Sequence, residues 1–334
     1  VVFDAFFHAF KRNYAFFKER AIDWDALGAR YRRQITANTD NERLFAILRR
    51  MESATNDLHV RLSAGSRSFI PGLTSFMYRL WGKYYALPQP RPDLGEFLKV
   101  QSRELLRPTI IRYLDPGSYR TLDSNLSYGT ISNGKIAYLQ VLGESDFGSP
   151  QNGPYRLKAE LAAARASLSQ AFKLIARAKA LIIDVRVNYG GQDAVSMMLA
   201  GHLTRHVGIG FTKCARVGDG FGDGFGDAQI FRDMPQTPSF FGPTVILTSQ
   251  ETISAGDEFV MIAKDFPNVI TVGETTAGVY SDPLQKRLPN GWRIGISNER
   301  YVAPDGRIYE ARGIAPDVRI GFNPEMMSTD GNDP

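Results

Sequence analysis

The 334-residue chain has 43% hydrophobic residues, 22% charged residues and a net charge of +5, material for one large or two modest domains. The basic clusters Arg30–Arg33 and Arg49–Arg50 fall in helical patterns and lack the length and interleaved aromatics of a nucleic-acid stripe, so no nucleic-acid partner is expected. No apolar run reaches the ~20 residues that span a bilayer, and the one cysteine, Cys214, excludes an intramolecular disulfide and a multi-cysteine metal site. The chain starts at Val1 with neither an initiator Met nor a signal-peptide pattern. The expectation is a trimmed bacterial periplasmic, secreted or envelope-anchored protein that has lost its targeting segment; the cytosol is also compatible.

Residues 1–56 read as a helical domain. Val2, Phe3, Phe6, Phe7, Phe10, Tyr14 and Phe17 recur at helical spacing. A second helix runs through Asp25–Tyr31, and Thr39 with Glu42 forms a capping box that opens a third. Asn56–Leu62 alternates with period two and predicts a strand carrying His59. The rest of 57–125, rich in proline, reads as a connecting region of irregular structure and short strands with one helix over Leu94–Leu106. From 126 to 322 an α/β core is expected, with a tail at 323–334. Asn133-Gly134 marks a hairpin between Leu126–Ile131 and Lys135–Leu142. A helix over Tyr155–Ala178 precedes a buried strand at Ala180–Val187, which Gly190-Gly191 breaks before a helix from Asp193 to Thr204. Strands at Pro243–Thr248 and Val269–Gly273 flank a helix from Ala255 to Lys264, and such alternation predicts a mostly parallel sheet covered by helices. Trp292–Tyr301 and Arg307–Glu310, around the turn Pro304-Asp305-Gly306, read as antiparallel strands.

Ser254 stands where a buried strand hands over to a helix. A hydroxyl there meets the positive end of the helix dipole and unpaired backbone N–H groups, which suits a nucleophile whose attack creates an oxyanion. The same position suits a plain N-cap serine, and both readings stand at this point. The Ala255 N–H is one candidate oxyanion donor. The Gly190-Gly191 turn offers another, because glycine lets backbone approach a substrate. Asp184 and Arg186 read as structural charges around that turn. A serine needs a base, and histidine suits the task near neutral pH. Of four histidines, His8 lies in the aromatic helix. His202 and His206 are one helical turn apart but have no third ligand motif, so no metal and no cofactor are expected. The Gly/Asp-rich stretch 218–227 fits neither an EF-hand nor a nonapeptide calcium repeat and reads as a surface loop.

Five stretches together resemble one family: Asp57-Leu58-His59, Asp184–Gly191, Thr252–Glu258, Gly273–Gly278 and Glu310–Val318. They resemble the tail-specific, or C-terminal-processing, serine peptidases, which share their catalytic fold with the tricorn core and interphotoreceptor retinoid-binding protein. The resemblance implies a ClpP/crotonase-like spiral α/β core with a mixed sheet and covering helices. It implies Ser254 as nucleophile, and hence a peptide or protein substrate. The lysine that the tail-specific branch places in the Gly-Glu-Thr loop is absent, since Val279 and Tyr280 follow Gly278. The tricorn-like branch uses a histidine and a glutamate, and the resemblance puts His59 and Glu310 in those places, the latter otherwise a surface charge beside Arg312. Leu58 replaces a second serine of that pattern. A PDZ domain would have to fit within 65–125, where no carboxylate-binding loop is seen, and none is expected. A non-catalytic carrier of an apolar ligand or peptide, and a crotonase-like acyl-CoA enzyme, are the alternatives on this fold. The oligomeric state is not readable.

Overall fold

The first helix of the computed structural model, which describes residues 1–148, 156–218 and 224–324, shows how the aromatic pattern is used. Val2–Asn13 is helical, and its 3–4 spacing buries Phe3, Phe6 and Phe10 on one face. Trp24 stacks on Phe10 with ring centroids 5.0 Å apart. The helix stops at Asn13, short of the expected Phe17. Tyr14 is extended (φ −71°, ψ 122°), and the Ala15 N–H leaves to bond the Ser297 carbonyl at 2.9 Å. The second and third helices are Trp24–Arg32 and Asn41–Ser53. The capping box at Thr39 and Glu42 is not formed. Asp40 caps the third helix by accepting from Arg43 N at 2.8 Å, Thr39 Oγ1 accepts from Thr36 N, and Glu42 reaches Arg67.

The chain divides into two units, neither continuous in sequence: Val1–Leu73 with Thr212–Ile230 and Val279–Ala311, and Thr74–Phe211 with Phe231–Gly278 and the segment from Arg312. The boundaries expected at 56/57 and 125/126 therefore fall inside units. In the first unit the three helices share a core with a four-stranded antiparallel sheet in the order Pro283–Arg287, Arg293–Ser297, Arg61–Ala64, Arg67–Phe69. The expected strand at Asn56–Leu62 begins only at Arg61; the residues before it form a turn. The expected Trp292–Tyr301 strand is two, Arg293–Ser297 and Glu299–Val302, parted at Asn298, whose side-chain amide bonds the carbonyls of Asn13 and Arg216. Arg307–Glu310 is turn and coil, not a strand.

The second unit holds a seven-stranded sheet in the order Val318–Arg319, Val269–Gly273, Thr244–Thr248, Ala180–Asp184, Ile136–Val141, Leu126–Ile131, Arg120–Thr121. The first five strands pair in parallel and the last two add antiparallel. This is a mixed-sheet α/β fold. Covering helices are Arg156–Ile175, Asp193–Gly201 and Ala255–Ala263. The connecting region contains the helix expected from Leu94, which spans Leu94–Tyr113, and a further one, Ser75–Tyr85, where irregular structure is expected. The longer helix runs through Pro108. The carbonyl that proline leaves without a donor belongs to exposed Glu104, where water can satisfy it. The hairpin turn takes four residues rather than two, with Ser132 and Asn133 at positive φ. Residues 219–223 of the Gly/Asp-rich stretch lie outside the described residues. Among those described, no helix is long and apolar enough to cross a membrane.

Candidate active site

Ser254 ends a path that begins in the sheet. After the strand Thr244–Thr248 the chain turns through Ser249, and Glu251–Thr252 pairs in parallel with Val187–Asn188. Thr252 Oγ1 donates to the Val185 carbonyl at 2.7 Å, and Ile253 N donates to the Asn188 carbonyl at 3.1 Å. The chain then enters the helix Ala255–Ala263 through a Ser254 with φ +58° and ψ −122°. A residue with a Cβ is strained there by about 1–3 kcal/mol. The serine side chain makes no capping bond, so the N-cap reading lacks the interaction that defines it. The residue is half-buried, and all nine residues of the helix behind it are buried.

The Gly190-Gly191 turn lies against this elbow. A Cβ on Gly190 would stand 2.5 Å from Ser254 Cβ and 3.0 Å from Ala255 N. Gly190 has φ +75° and Gly191 φ +155°, and only glycine takes such values without cost. The two glycines differ in their amides. Gly190 N–H donates to Asn188 Oδ1 at 2.8 Å and is committed. The N–H groups of Gly191 and Ala255 have no acceptor among the described residues. Two open amides thus border the Ser254 elbow. Asp184 and Arg186 are buried and bonded to each other at 2.7 Å, with Tyr138 OH on the same carboxylate.

His59 and Glu310 belong to the other unit and share one buried network there. Asp57 is fully buried. Its Oδ1 accepts the His59 backbone N–H at 3.0 Å, and its Oδ2 accepts Tyr14 OH at 3.0 Å. That Asx turn, with Val60 N on the Asp57 carbonyl, is why His59 sits on a turn rather than in a strand. Burial depresses the His59 imidazole below its usual value, opposed by Asp57, Asp282 and the backbone of Ser281. Its Nδ1 is buried with no partner among the described residues. Glu310 is 1% exposed, so it is no surface charge. Its Oε1 accepts from Arg20 Nη2 at 2.8 Å and its Oε2 from Tyr280 N at 2.9 Å. Arg20 Nε lies 3.8 Å from Asp57 Oδ2. Burial and the nearby Asp57 push the Glu310 carboxyl up, against the pull of Arg20. No hydrogen bond joins Glu310 to His59. The two are related through Arg20 and Asp57 on one side and through Tyr280-Ser281 on the other.

The helix Asp193–Gly201 ends before His202, so His202 and His206 are not stacked on one helix face. The His202 ring stacks on Phe172 at 4.1 Å and its Nδ1 meets the Pro238 carbonyl, with its pKa pushed down to about 4 by burial. His8 is exposed. Several polar residues around these sites carried no role in the sequence reading: Arg20, Asp57, Lys99, Glu144 and Asn188. Lys99 is 1% exposed, and its Nζ donates to Asn125 Oδ1, the Ser145 carbonyl and Asp146 Oδ2. The available signal was its place beside Leu98, Ser102 and Leu106 on the inner face of a helix; Arg20 had none.

Residues 135–320, more than half of the chain, match the profile of peptidase family S41. The chain belongs to peptidase family S41. As a member it is a serine-type peptidase, and peptides or proteins are its substrates. Residues 1–52 match the Tricorn protease C1 domain, which places it with the tail-specific and tricorn-like peptidases. Among solved structures, a candidate peptidase from Parabacteroides merdae ATCC 43184 is 22% identical with a TM-score of 0.74, over 99% of this chain and 92% of that one. Mature CPAF is 12% identical with a TM-score of 0.67, over 98% and 93%. The photosystem II D1 C-terminal processing protease is 13% identical with a TM-score of 0.53, over 96% and 92%. At these identities the likeness is one of fold. No curated protein matches the chain.

Proposed function

We propose that this S41 peptidase hydrolyses peptide bonds through an acyl-enzyme, with Ser254 as nucleophile and His59 as general base. The observation that carries the reading is the strained, uncapped Ser254 elbow bordered by two amides without acceptors. A serine held in such a conformation without a capping bond has its hydroxyl free for chemistry. The N–H groups of Ala255 and Gly191 are the oxyanion donors in this reading, and the charge that develops on the carbonyl oxygen is what they would stabilise. Gly190 serves by its missing side chain, since its own amide is spent on Asn188.

His59 acts as base in its neutral form. If the ring donates to the backbone of Ser281, its other nitrogen carries a lone pair that can take the serine proton. Glu310 is a positioning residue. It fixes Arg20, which faces the Asp57 that holds the His59 amide, and it holds the Tyr280 amide next to Ser281. The test is a fluorophosphonate probe with peptide mapping. Labelling at Ser254 that is lost in Ser254→Ala, together with loss of peptide hydrolysis, is the expected result. A folded protein that hydrolyses peptides but labels elsewhere overturns the assignment. A folded protein that neither labels nor hydrolyses any peptide of a broad library points to a carrier on this fold.

A further inference from the structure

We propose that Glu144 is the positioning residue of the oxyanion site: its backbone and side chain grip the Asn188–Gln192 loop at three points and aim the Gly191 amide. The inference rests on the reading of Ser254 as nucleophile. Glu144 N donates to the Gly190 carbonyl at 2.9 Å, and Gln192 N donates to the Glu144 carbonyl at 3.1 Å. Glu144 Oε1 accepts from Asn188 Nδ2 at 2.8 Å, and the same asparagine holds the Gly190 amide through Oδ1 at 2.8 Å. A trans peptide points its C=O and N–H in opposite directions. With the Gly190 carbonyl turned to Glu144, the N–H of Gly191 is turned away from it, on the loop whose Gly190 packs against Ser254 and Ala255 N. The two segments touch backbone to backbone: a Cβ on Gly191 would lie 2.3 Å from the Glu144 carbonyl carbon and 2.5 Å from Ser145 N.

The gripping segment is itself fixed from behind. Lys99 Nζ and Asn125 Nδ2 both donate to the Ser145 carbonyl, at 2.9 and 2.8 Å, and Leu142 N donates to the Asn125 carbonyl at 2.9 Å. Glu144 is fully buried, and its Oε2 has no hydrogen-bond partner among the described residues. A structural acceptor for Asn188 needs one oxygen; a second, unpartnered one costs stability and calls for another reason. Burial raises this carboxyl to about 7, against the opposing pull of Asn188 and of Lys99, the charged group acting on it from the helix Leu94–Tyr113. Asp146, on the same segment, is paired with Lys99. Protonated, Glu144 lets the site accept negative charge. Ionised, it opposes an oxyanion, so turnover falls as the pH rises past neutrality.

The experiment compares Glu144→Ala, Glu144→Gln and Ser254→Ala in the full chain, measuring kcat, KM and their pH profiles on one peptide substrate, with thermal melting as a check on folding. Glu144→Ala should lower kcat about 10–100-fold with KM nearly unchanged, a share of the 10²–10³ that loss of a whole oxyanion donor costs. Glu144→Gln, which keeps the acceptor for Asn188, should restore most of that kcat at pH 6 and abolish the decline above pH 7. Wild-type kcat in folded Glu144→Ala overturns the proposal. So does an alkaline decline that persists in Glu144→Gln, and that second arm decides the matter if the alanine variant fails to fold. If Ser254→Ala is inert while both Glu144 variants behave as wild type, only this inference fails. If Ser254→Ala still hydrolyses the peptide, the reading of the site fails with it.

Discussion

Replacing Ser254 by alanine and by glycine separates strain from capping. The native residue sits at φ +58° and ψ −122°, which costs a non-glycine residue about 1–3 kcal/mol. Alanine keeps the Cβ and the strain and loses no side-chain cap bond, since none is made. Its stability should match wild type within about 0.5 kcal/mol. Glycine removes the strain but loosens the unfolded chain, a cost of about 0.5–1 kcal/mol. The net expectation is a variant between equal to wild type and about 2 kcal/mol more stable. Both variants should be inactive. Urea titrations with unchanged m-values measure the differences. If serine is only a cap, both variants fall below wild type: alanine loses about 1 kcal/mol, glycine loses a few tenths, and both keep activity per folded molecule. That pattern would refute the strain argument and the nucleophile together.

Because burial lowers the His59 pKa, the neutral base is populated from a more acidic pH than usual, and kcat/KM should rise through a midpoint below 6.5; a midpoint above 6.5 contradicts the buried setting. Glu310→Gln keeps an acceptor for Tyr280 N but removes the charge facing Arg20; kcat should fall less than in His59→Ala, and the melting temperature should also drop, because a buried charge-assisted bond worth about 1.5–3 kcal/mol is weakened. Glu52 is fully buried with neither carboxyl oxygen partnered among the described residues, and burial holds its pKa well above 4.5. The folded chain therefore binds the extra proton, so the stability this carboxyl allows is full below the unfolded value of ~4.3 and is lost as the pH rises through the folded value. Glu52→Met should raise the melting temperature at pH 8 and change it little at pH 4, and an equal shift at both pH values would show that Glu52 does not titrate with folding.

The parallel strands were legible because a strand buried on both faces must be a short apolar run, as Ala180–Asp184 and Thr244–Thr248 are. The Ser254 elbow was legible from the pattern as a place, and its role came only from the resemblance. A strand-to-helix serine reads the same whether it caps or attacks; the structure adds the backbone angles and the missing capping bond. His59 was misplaced because Asp-x-His beside Val60 and Leu62 imitates strand alternation, while the Asp57 side chain bends the chain into a turn. The helix expected over Leu94–Leu106 was legible, but its run through Pro108 to Tyr113 was not, and neither was its burial, because Lys99, Ser102 and Arg103 look like surface residues. Their partners, among them Asn125, Asp146 and Tyr189, lie too far along the sequence to be paired by inspection.

The Asp-x-Arg-x-Asn-x-Gly-Gly stretch has a physical reading at nearly every fixed position. Asp184 accepts from both the backbone and the side chain of Arg186, which ends the strand and turns the chain. The Arg186 carbonyl accepts from Ser249 Oγ and the Val185 carbonyl from Thr252 Oγ1, so the segment before Ser254 is tied to this turn and not only to the sheet. Asn188 then bonds Glu144, the Val141 carbonyl and the Gly190 amide with one side chain. A Cβ on Gly256 would stand 2.6 Å from its Oδ1, which makes the second residue of the helix after Ser254 small for the same reason that Gly190 is. Aspartate at 188 would keep the acceptor for Gly190 but lose the donor to Glu144 and set two carboxylates against each other. The spacing of the motif is therefore the spacing of one clamp, in which a single amide side chain sets the glycine turn against the start of the serine helix.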